Sequence, residues 1–234
     1  MIPTGKGLFV RFLRDDQVDH VINRCRAAGV EWVAVLVLWQ YTAKPSRHGG
    51  DLTNAARRLA AAGLRVVPWA YSVPGRTAEI VRVLSVEATR CGSAAVIVDA
   101  EREWRGRANT LLVASINALK VGGRSVGLTS YGAPWNHRSF PWEAVRAADF
   151  SIPQIYEMAP MPASYPARSV EAYRQHGARV VIPATSGMTS RRHMRSLLER
   201  TPAPRGLIWW DLLNLDTQPQ RWDVVREYAD GGAS

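Results

Sequence analysis

The stretch Ala94–Trp104, AAVIVDAEREW, joins an apolar run to a group of charged residues. Its first residues are small or β-branched, which is typical of a strand that is buried on both faces. Side chains alternate along a strand, so Asp99 and Glu101, two positions apart, share one face. Burying a charge costs free energy unless the charge is paired, hydrogen-bonded or close to water. The pattern therefore predicts a buried strand that ends at a functional site.

The same pattern, an apolar run followed by a turn and an amphipathic helix, recurs along the whole chain. The eight strand candidates are GLFVRFL (7–13), WVAVLVLW (32–39), RVVPWAY (65–71), AAVIVDAE (94–101), SVGLTSYG (125–132), FSIPQIYE (150–157), RVVIPATSG (179–187) and GLIWWDL (206–212). Apolar strands joined by helices predict a parallel sheet covered by helices. Eight units predict an α/β fold, a single (β/α)8 TIM barrel. An open doubly wound sheet is less favoured, because no Gly-rich phosphate loop follows the first strand.

Length and composition predict one large domain. With 47% hydrophobic residues among 234, the chain can bury a substantial core. We expect the barrel to occupy residues 1–229 and a flexible tail to occupy residues 230–234, DGGAS. The chain has only two cysteines, Cys25 and Cys91, both in segments that look helical, which favours buried thiols over a disulfide framework.

The formal net charge of +10 favours an anionic partner. Nucleic acid is not favoured as a partner, because the basic residues are spread along predicted helices and are not interleaved with aromatic residues in one block. No apolar run is long enough for a membrane span, and no secretory signal is evident, so we expect synthesis in the cytoplasm. No metal site is predicted, because the histidines lack ligand spacing, and no cofactor is predicted, because no phosphate loop is present.

Polar and aromatic residues collect where the predicted strands end, which is where barrel enzymes place their chemistry. Aromatic rings with hydrogen-bonding tips, together with a few acids, suit a sugar. Ordinary core packing of the tryptophans, or pairing of the acids with nearby arginines, is the alternative. Because side chains alternate along a strand, only one of Trp209 and Trp210 can point into the barrel, and we predict that it is Trp210. The candidate substrate-binding residues are Trp39, Trp69, Tyr71, Tyr131, Gln154, Glu157, Trp210 and Asp211.

Three of these strand ends resemble a known pattern. VIVDAE (96–101) resembles the D-x-E signature of barrel glycoside hydrolases, notably family 18 chitinase-like enzymes and family 25 lysozymes, and PQIYE (153–157) and GLIWWDL (206–212) resemble their strand-six and strand-eight regions. The resemblance implies that Glu101 is the catalytic general acid. It also implies that Asp99 orients or stabilises the N-acetyl group of the substrate and that Tyr156 holds the same acetamido oxygen.

The chain also departs from both families. Family 25 lysozymes carry an acid at the end of strand one, where this chain has Arg11 and Arg14, and the longer acid series of family 18 is replaced by Ala95 and Ile97. The resemblance implies a retaining glycosidase, substrate-assisted or with two carboxylates, acting on an N-acetylhexosamine polymer such as peptidoglycan. We expect a phage or phage-like lysin, virion-associated or released to the cell wall. The alternative is a non-catalytic carbohydrate-binding or structural barrel of a phage-like particle.

Overall fold

The computed structural model describes residues 1–39, 52–156 and 161–228. Within them, eight parallel strands close into one barrel in sequence order, which confirms the predicted (β/α)8 TIM barrel. The strands are β1 Gly5–Val10, β2 Trp32–Trp39, β3 Arg65–Ser72, β4 Ala95–Ala100, β5 Ser125–Tyr131, β6 Phe150–Ile155, β7 Ala184–Ser186 and β8 Gly206–Trp210.

Helices surround the barrel and follow its strands. In the described part of the chain they are α1 Val18–Ala28, α2 Leu52–Ala61, α3 Thr77–Arg90, α4 Asn109–Lys120, α5 Glu143–Ala147, α6 Tyr165–Gln175, α7 Arg191–Glu199, α8 Leu212–Asp216 and α9 Arg221–Glu227. Single 3-10 turns, Asp15–Gln17, Pro74–Arg76, Arg102–Trp104 and Pro134–Asn136, lie between a strand and the next helix. Because α5 has only five residues, the helical layer is thin between α4 and α6.

Helix α1 shows how the sequence specifies these elements. Its buried residues recur every three or four positions, so they form one apolar stripe against the strands. Gly29 follows the helix in the left-handed region at φ 67°, a conformation that glycine adopts without steric cost. The helix therefore ends at Gly29 as the sequence indicates, whereas it begins after Gln17, whose side chain makes no capping hydrogen bond.

The strands bury side chains on both faces. Phe9, Trp69 and Ile97 point into the barrel, whereas residues of the alternate register pack between the strands and the helices. Trp209 is fully buried in the outer layer, and Trp210 faces the interior, where its ring lies 5.6 Å from that of Trp69. The predicted choice of Trp210 for the barrel mouth agrees with this placement.

Strand β7 is shorter than predicted. The sequence suggests a strand over residues 179–187, but only Ala184–Ser186 forms ladder pairs with both neighbours. Val181 contacts Ser151 through one isolated bridge. Pro183 interrupts the run because proline has no backbone N–H to donate.

The barrel closes where β1 pairs with β8. Gly5 is the register partner of Gly206, whose φ of 108° lies in the left-handed region, and a Cβ on Gly206 would collide with the carbonyl oxygen of Gly5. Beside this seam the buried Lys6 Nζ donates to the carbonyl oxygens of Ala28 at 3.2 Å and Val225 at 3.1 Å. The ammonium group therefore caps the ends of α1 and α9 and joins the two ends of the described chain.

Three further predictions concern the chain as a whole. Cys25 and Cys91 are free, and burial raises the pKa of the Cys25 thiol to about 12. Among the described residues, no helix combines the length and the apolar character that crossing a membrane requires. Residues 230–234 lie outside the described residues, so the domain boundary at residue 229 stays a prediction.

Candidate functional site

Asp99 and Glu101 meet at the carboxyl end of the barrel. Asp99 is 2% exposed near the end of β4, and Glu101 is half-buried just after it. Gln154 on β6 reaches both acids, because its Nε2 donates to Asp99 Oδ1 at 3.2 Å and to Glu101 Oε1 at 2.9 Å. One amide therefore joins two carboxyl groups, one below the other, across the mouth of the barrel.

The environment of these two acids favours their protonated forms. Burial raises the pKa of Asp99 well above its usual value, and the negative charge of Glu101 raises it further. Burial also raises the pKa of Glu101, with a contribution from the charge of Glu103, although the hydrogen bond from Gln154 acts in the opposite direction. A proton held at pH values where free carboxyl groups are ionised is what a general acid requires.

Glu103 is a third acid at the mouth, and it is not among the predicted site residues. It accepts a hydrogen bond from the Tyr71 hydroxyl at 2.6 Å and one from Arg102 Nε at 2.8 Å. Burial alone would raise the pKa of Glu103, but these hydrogen bonds outweigh it and lower the pKa. The neighbouring Trp104 Nε1 donates to the carbonyl oxygen of Ser72 at 3.0 Å, so the turn after β4 is fastened to the end of β3. In the sequence, Glu103 extends the D-x-E pattern of Asp99 and Glu101 to D-x-E-x-E, and this spacing could have identified it as a site residue.

Aromatic rings form the floor and one wall of the mouth. Trp210 packs edge-on against Phe9 at 5.1 Å between ring centroids, and Phe9 in turn contacts Trp69 at 5.4 Å. Trp39 stacks on Tyr71 with the centroids 4.9 Å apart and an interplanar angle of 28°. Trp69 is fully buried beneath them, so it supports the other rings from below.

Tyr156 presents an unsatisfied hydroxyl group to this region. Its ring lies 6.0 Å from that of Trp210, and its oxygen is buried without a hydrogen-bond partner in the part of the chain that the structure describes. Burial raises the pKa of Tyr156, and the charges of Asp99 and Glu101 raise it further. A buried hydroxyl without a partner costs free energy, so such a group suits contact with a ligand.

Asp211 lies beside the mouth and makes its contacts within the protein. The side chain is fully buried, forms an ion pair with Arg11, and accepts from the backbone N–H of Asn214 at 3.2 Å as the N-cap of α8. The Arg11 guanidinium lies 5.5 Å from the centroid of the Trp210 ring. Asp211 therefore positions Arg11 and Trp210, and its predicted contact with substrate stays a prediction.

Tyr131 stands at the rim of the mouth. Its ring stacks on His137 with a centroid distance of 3.6 Å, and the Arg105 guanidinium lies 5.1 Å from its centroid. Burial and the positive charge of Arg105 lower the pKa of His137. Glu157 lies outside the described residues. The other predicted site residues surround the mouth, at Trp39, Tyr71, Asp99, Glu101, Gln154, Tyr156 and Trp210, whereas Trp69 lies fully buried beneath them.

The described residues form no group of three or more His, Cys, Asp or Glu side chains that could hold a metal ion. The acids and the aromatic rings of the mouth support proton transfer and the binding of a polar ligand between aromatic rings.

Comparisons with known proteins give the class of the fold. No family model and no curated protein matches this sequence. Among solved structures, the spore cortex-lytic enzyme SleL of Bacillus cereus is 9% identical with a TM-score of 0.68, over 97% of this chain and 75% of that one. A fungal endo-β-N-acetylglucosaminidase from glycosyl hydrolase family 18 is 11% identical with a TM-score of 0.66, over 95% of both chains.

The class V chitinase of Nicotiana tobaccum is similar to the same degree, with 9% identity and a TM-score of 0.64 over 95% of this chain and 97% of that one. At such low identity the likeness establishes the fold alone. This chain is a (β/α)8 TIM barrel, and it shares this fold with these glycoside hydrolases.

Proposed function

We propose that this protein is a glycoside hydrolase that cleaves an N-acetylhexosamine polymer, with peptidoglycan as its substrate. The observation that carries the proposal is the pair of buried acids, Asp99 and Glu101, joined by Gln154 beside an aromatic floor. The names of the structural neighbours support it, since they describe a cortex-lytic enzyme, an endo-β-N-acetylglucosaminidase and a chitinase.

Glu101 is the proton donor in the mechanism that we propose. It is the more exposed of the two acids, and its carboxyl group gives a proton to the glycosidic oxygen as the bond to the anomeric carbon breaks. The acetamido oxygen of the sugar attacks the anomeric carbon and forms a cyclic intermediate. Water then opens this intermediate while Glu101 accepts a proton, so the configuration at the anomeric carbon is retained.

Asp99 and Tyr156 act on the acetamido group in this mechanism. Asp99 lies beneath Glu101 and orients the group by hydrogen bonding. The unpartnered hydroxyl of Tyr156 donates to the acetamido oxygen. Trp210 supplies a flat apolar surface for the sugar ring.

Peptidoglycan is the polymer that the charge of the chain supports. A formal net charge of +10 attracts the protein to an anionic wall, whereas chitin is neutral. A second candidate function rests on Arg11, which stands near the end of β1 where family 25 lysozymes have an acid. A barrel that binds wall polymer without cleaving it, for example in a phage-like particle, would not need that acid.

Glu101→Gln separates the two functions. If the protein is a hydrolase, the variant should fold and bind peptidoglycan but release reducing ends at least about 10²-fold more slowly than the wild type. The matched control is Glu199→Gln, which removes an exposed carboxylate at the end of α7 and should leave the rate unchanged. Wild-type protein that binds peptidoglycan but releases no reducing ends between about pH 4 and about pH 8 would instead establish the non-catalytic function.

A further inference from the structure

A groove crosses the outside of the barrel where the helical layer is thin. One cavity of about 650 Å³ lies between α4, α5 and the end of α6, and a second of about 400 Å³ adjoins it along α6. The two cavities share Arg138, Trp142, Gln175 and His176, so they form one continuous groove. None of the residues that line it belongs to the site at the barrel mouth.

Three arginines, Arg138, Arg146 and Arg168, line this groove, which we call the arginine groove. All three are exposed, and none forms an ion pair or a side-chain hydrogen bond within residues 1–39, 52–156 and 161–228. Two carboxylates, those of Glu143 and Glu171, also line the groove, and Glu171 pairs with Arg174 at 3.7 Å. The three unpaired guanidinium groups therefore leave the groove with an excess of positive charge, which favours an anion.

Arg168 is held in place before any ligand binds. Its guanidinium carbon lies 3.9 Å from the centroid of the Trp135 ring, and Trp135 is itself packed edge-on against Tyr165 at 6.0 Å. A guanidinium stacked on an aromatic face keeps the N–H groups at its edge available for hydrogen bonds. Because the stack restricts the side chain, binding a carboxylate or phosphate costs less conformational entropy.

The rest of the lining suits sugar hydroxyl groups better than a protein surface. Asn109, Asn117 and Gln175 line the groove with amides, which can both donate and accept hydrogen bonds, and Gln175 Nε2 donates to Glu171 Oε1 at 3.5 Å. The centre of a protein interface is usually apolar and rich in exposed anchor residues. The exposed large apolar side chains of the described chain all lie elsewhere, at Met1, Phe12, Leu111, Val121, Met161 and Leu213.

We propose that the arginine groove binds an anionic polysaccharide chain, whose carboxylate or phosphate groups contact Arg138 and Arg168 and whose hydroxyl groups contact the amides. The site goes beyond the proposed hydrolysis, and only the choice of a polysaccharide as the anion rests on that function. It would hold an acidic wall polymer on the side of the barrel while the mouth acts on the N-acetylhexosamine chain.

The experiment measures the affinity of the full chain for two soluble polymers by isothermal titration calorimetry at low salt. Polygalacturonate supplies carboxylates and poly(glycerol phosphate) supplies phosphates, and neither contains N-acetylhexosamine. The double variant Arg138→Gln/Arg168→Gln should lower the affinity for at least one polymer about tenfold or more, because two charge-assisted hydrogen bonds are lost. The polymer with the larger loss identifies the acidic group that the groove recognises.

The control Arg57→Gln/Arg82→Gln removes the same charge from exposed positions on α2 and α3. Its affinity should fall less than about threefold, and an equal fall in both double variants would show diffuse attraction and overturn the proposal. Poly-glutamate that binds as tightly as the polysaccharides, and loses as much in the groove variant, would assign the groove to acidic polypeptides. Glu101→Gln should leave these affinities unchanged, so loss of hydrolysis and loss of groove binding are distinguishable.

Discussion

The ion pair between Arg11 and Asp211 should be a coupled unit that stabilises the barrel mouth. Asp211 is fully buried and Arg11 is 26% exposed, so only the arginine can reach water if its partner is removed. Arg11→Met leaves a buried carboxylate with Asn214 as its remaining partner. Removing one partner of a buried ion pair costs about 3–5 kcal/mol. Because Arg11 is partly exposed, we expect Arg11→Met to lower the free energy of unfolding by an amount near the lower end of this range, about 3 kcal/mol.

Substitution of the other partner, Asp211, should lower the free energy of unfolding less. Asp211→Asn keeps an oxygen that can accept from the N–H of Asn214, so the cap of α8 survives, and Arg11 can turn to solvent. We expect a loss of about 1–2 kcal/mol. The double variant contains no unpaired charge, so it should also lose only about 1–2 kcal/mol, which gives a coupling energy of about 3 kcal/mol.

Urea denaturation of the four proteins measures these differences from the midpoints and slopes. For a chain of this size, a loss of about 3 kcal/mol also lowers the melting temperature by about 6–12 °C. If the two single changes are additive within about 0.5 kcal/mol, the pair is not coupled and the reasoning is wrong. If Asp211→Asn keeps full stability but weakens polymer binding, Asp211 contacts substrate and does not act as a positioning residue.

Two further predictions concern pH and the rim of the barrel. Because burial raises the pKa of Asp99, the folded wild type binds more protons than the unfolded chain as pH rises above the usual aspartate range, and its stability falls there. Asp99→Asn cannot ionise, so its free energy of unfolding relative to wild type should increase between about pH 4 and about pH 8; a difference independent of pH would contradict this. The buried Arg221 donates to the carbonyl oxygens of Met188, Thr189 and Asn214 at 2.8–2.9 Å. Arg221→Met should therefore lower the free energy of unfolding, measured by urea denaturation, by about 3 kcal/mol, and Arg221→Lys should lower it less. Equal losses would show that the planar geometry of the guanidinium group is unimportant.

The sequence predicts the barrel well because its signals are local. Each strand is an apolar run of limited length, and the residues that end α1 can be identified without knowledge of the rest of the fold. Alternation along β8 also separates Trp209 from Trp210 correctly. The sequence predicts strand β7 too long, because β-branched residues on both sides of Pro183 resemble a strand. That pattern takes no account of the backbone N–H that proline lacks.

The contacts within the site are less predictable, because they join residues that are far apart in the sequence. Gln154 reaches Asp99 from 55 positions away, and Arg11 reaches Asp211 from 200 positions away. The direction of a polar side chain at the mouth depends on neighbours from other strands. The sequence therefore identifies which residues gather at the mouth, but it does not show that Asp211 faces Arg11 or that Tyr71 holds Glu103.

The seam between β1 and β8 has a consequence for synthesis on the ribosome. Gly5 pairs with Gly206, so the first strand completes its pairing only after β8 has been made. At about 5–20 residues per second, β1 waits roughly 10–40 s for its partner. Throughout that time the nascent sheet has one unpaired edge at each end, and such edges pair readily with other chains. Fast completion of β8, or a chaperone that covers these edges, would therefore lower the risk of aggregation.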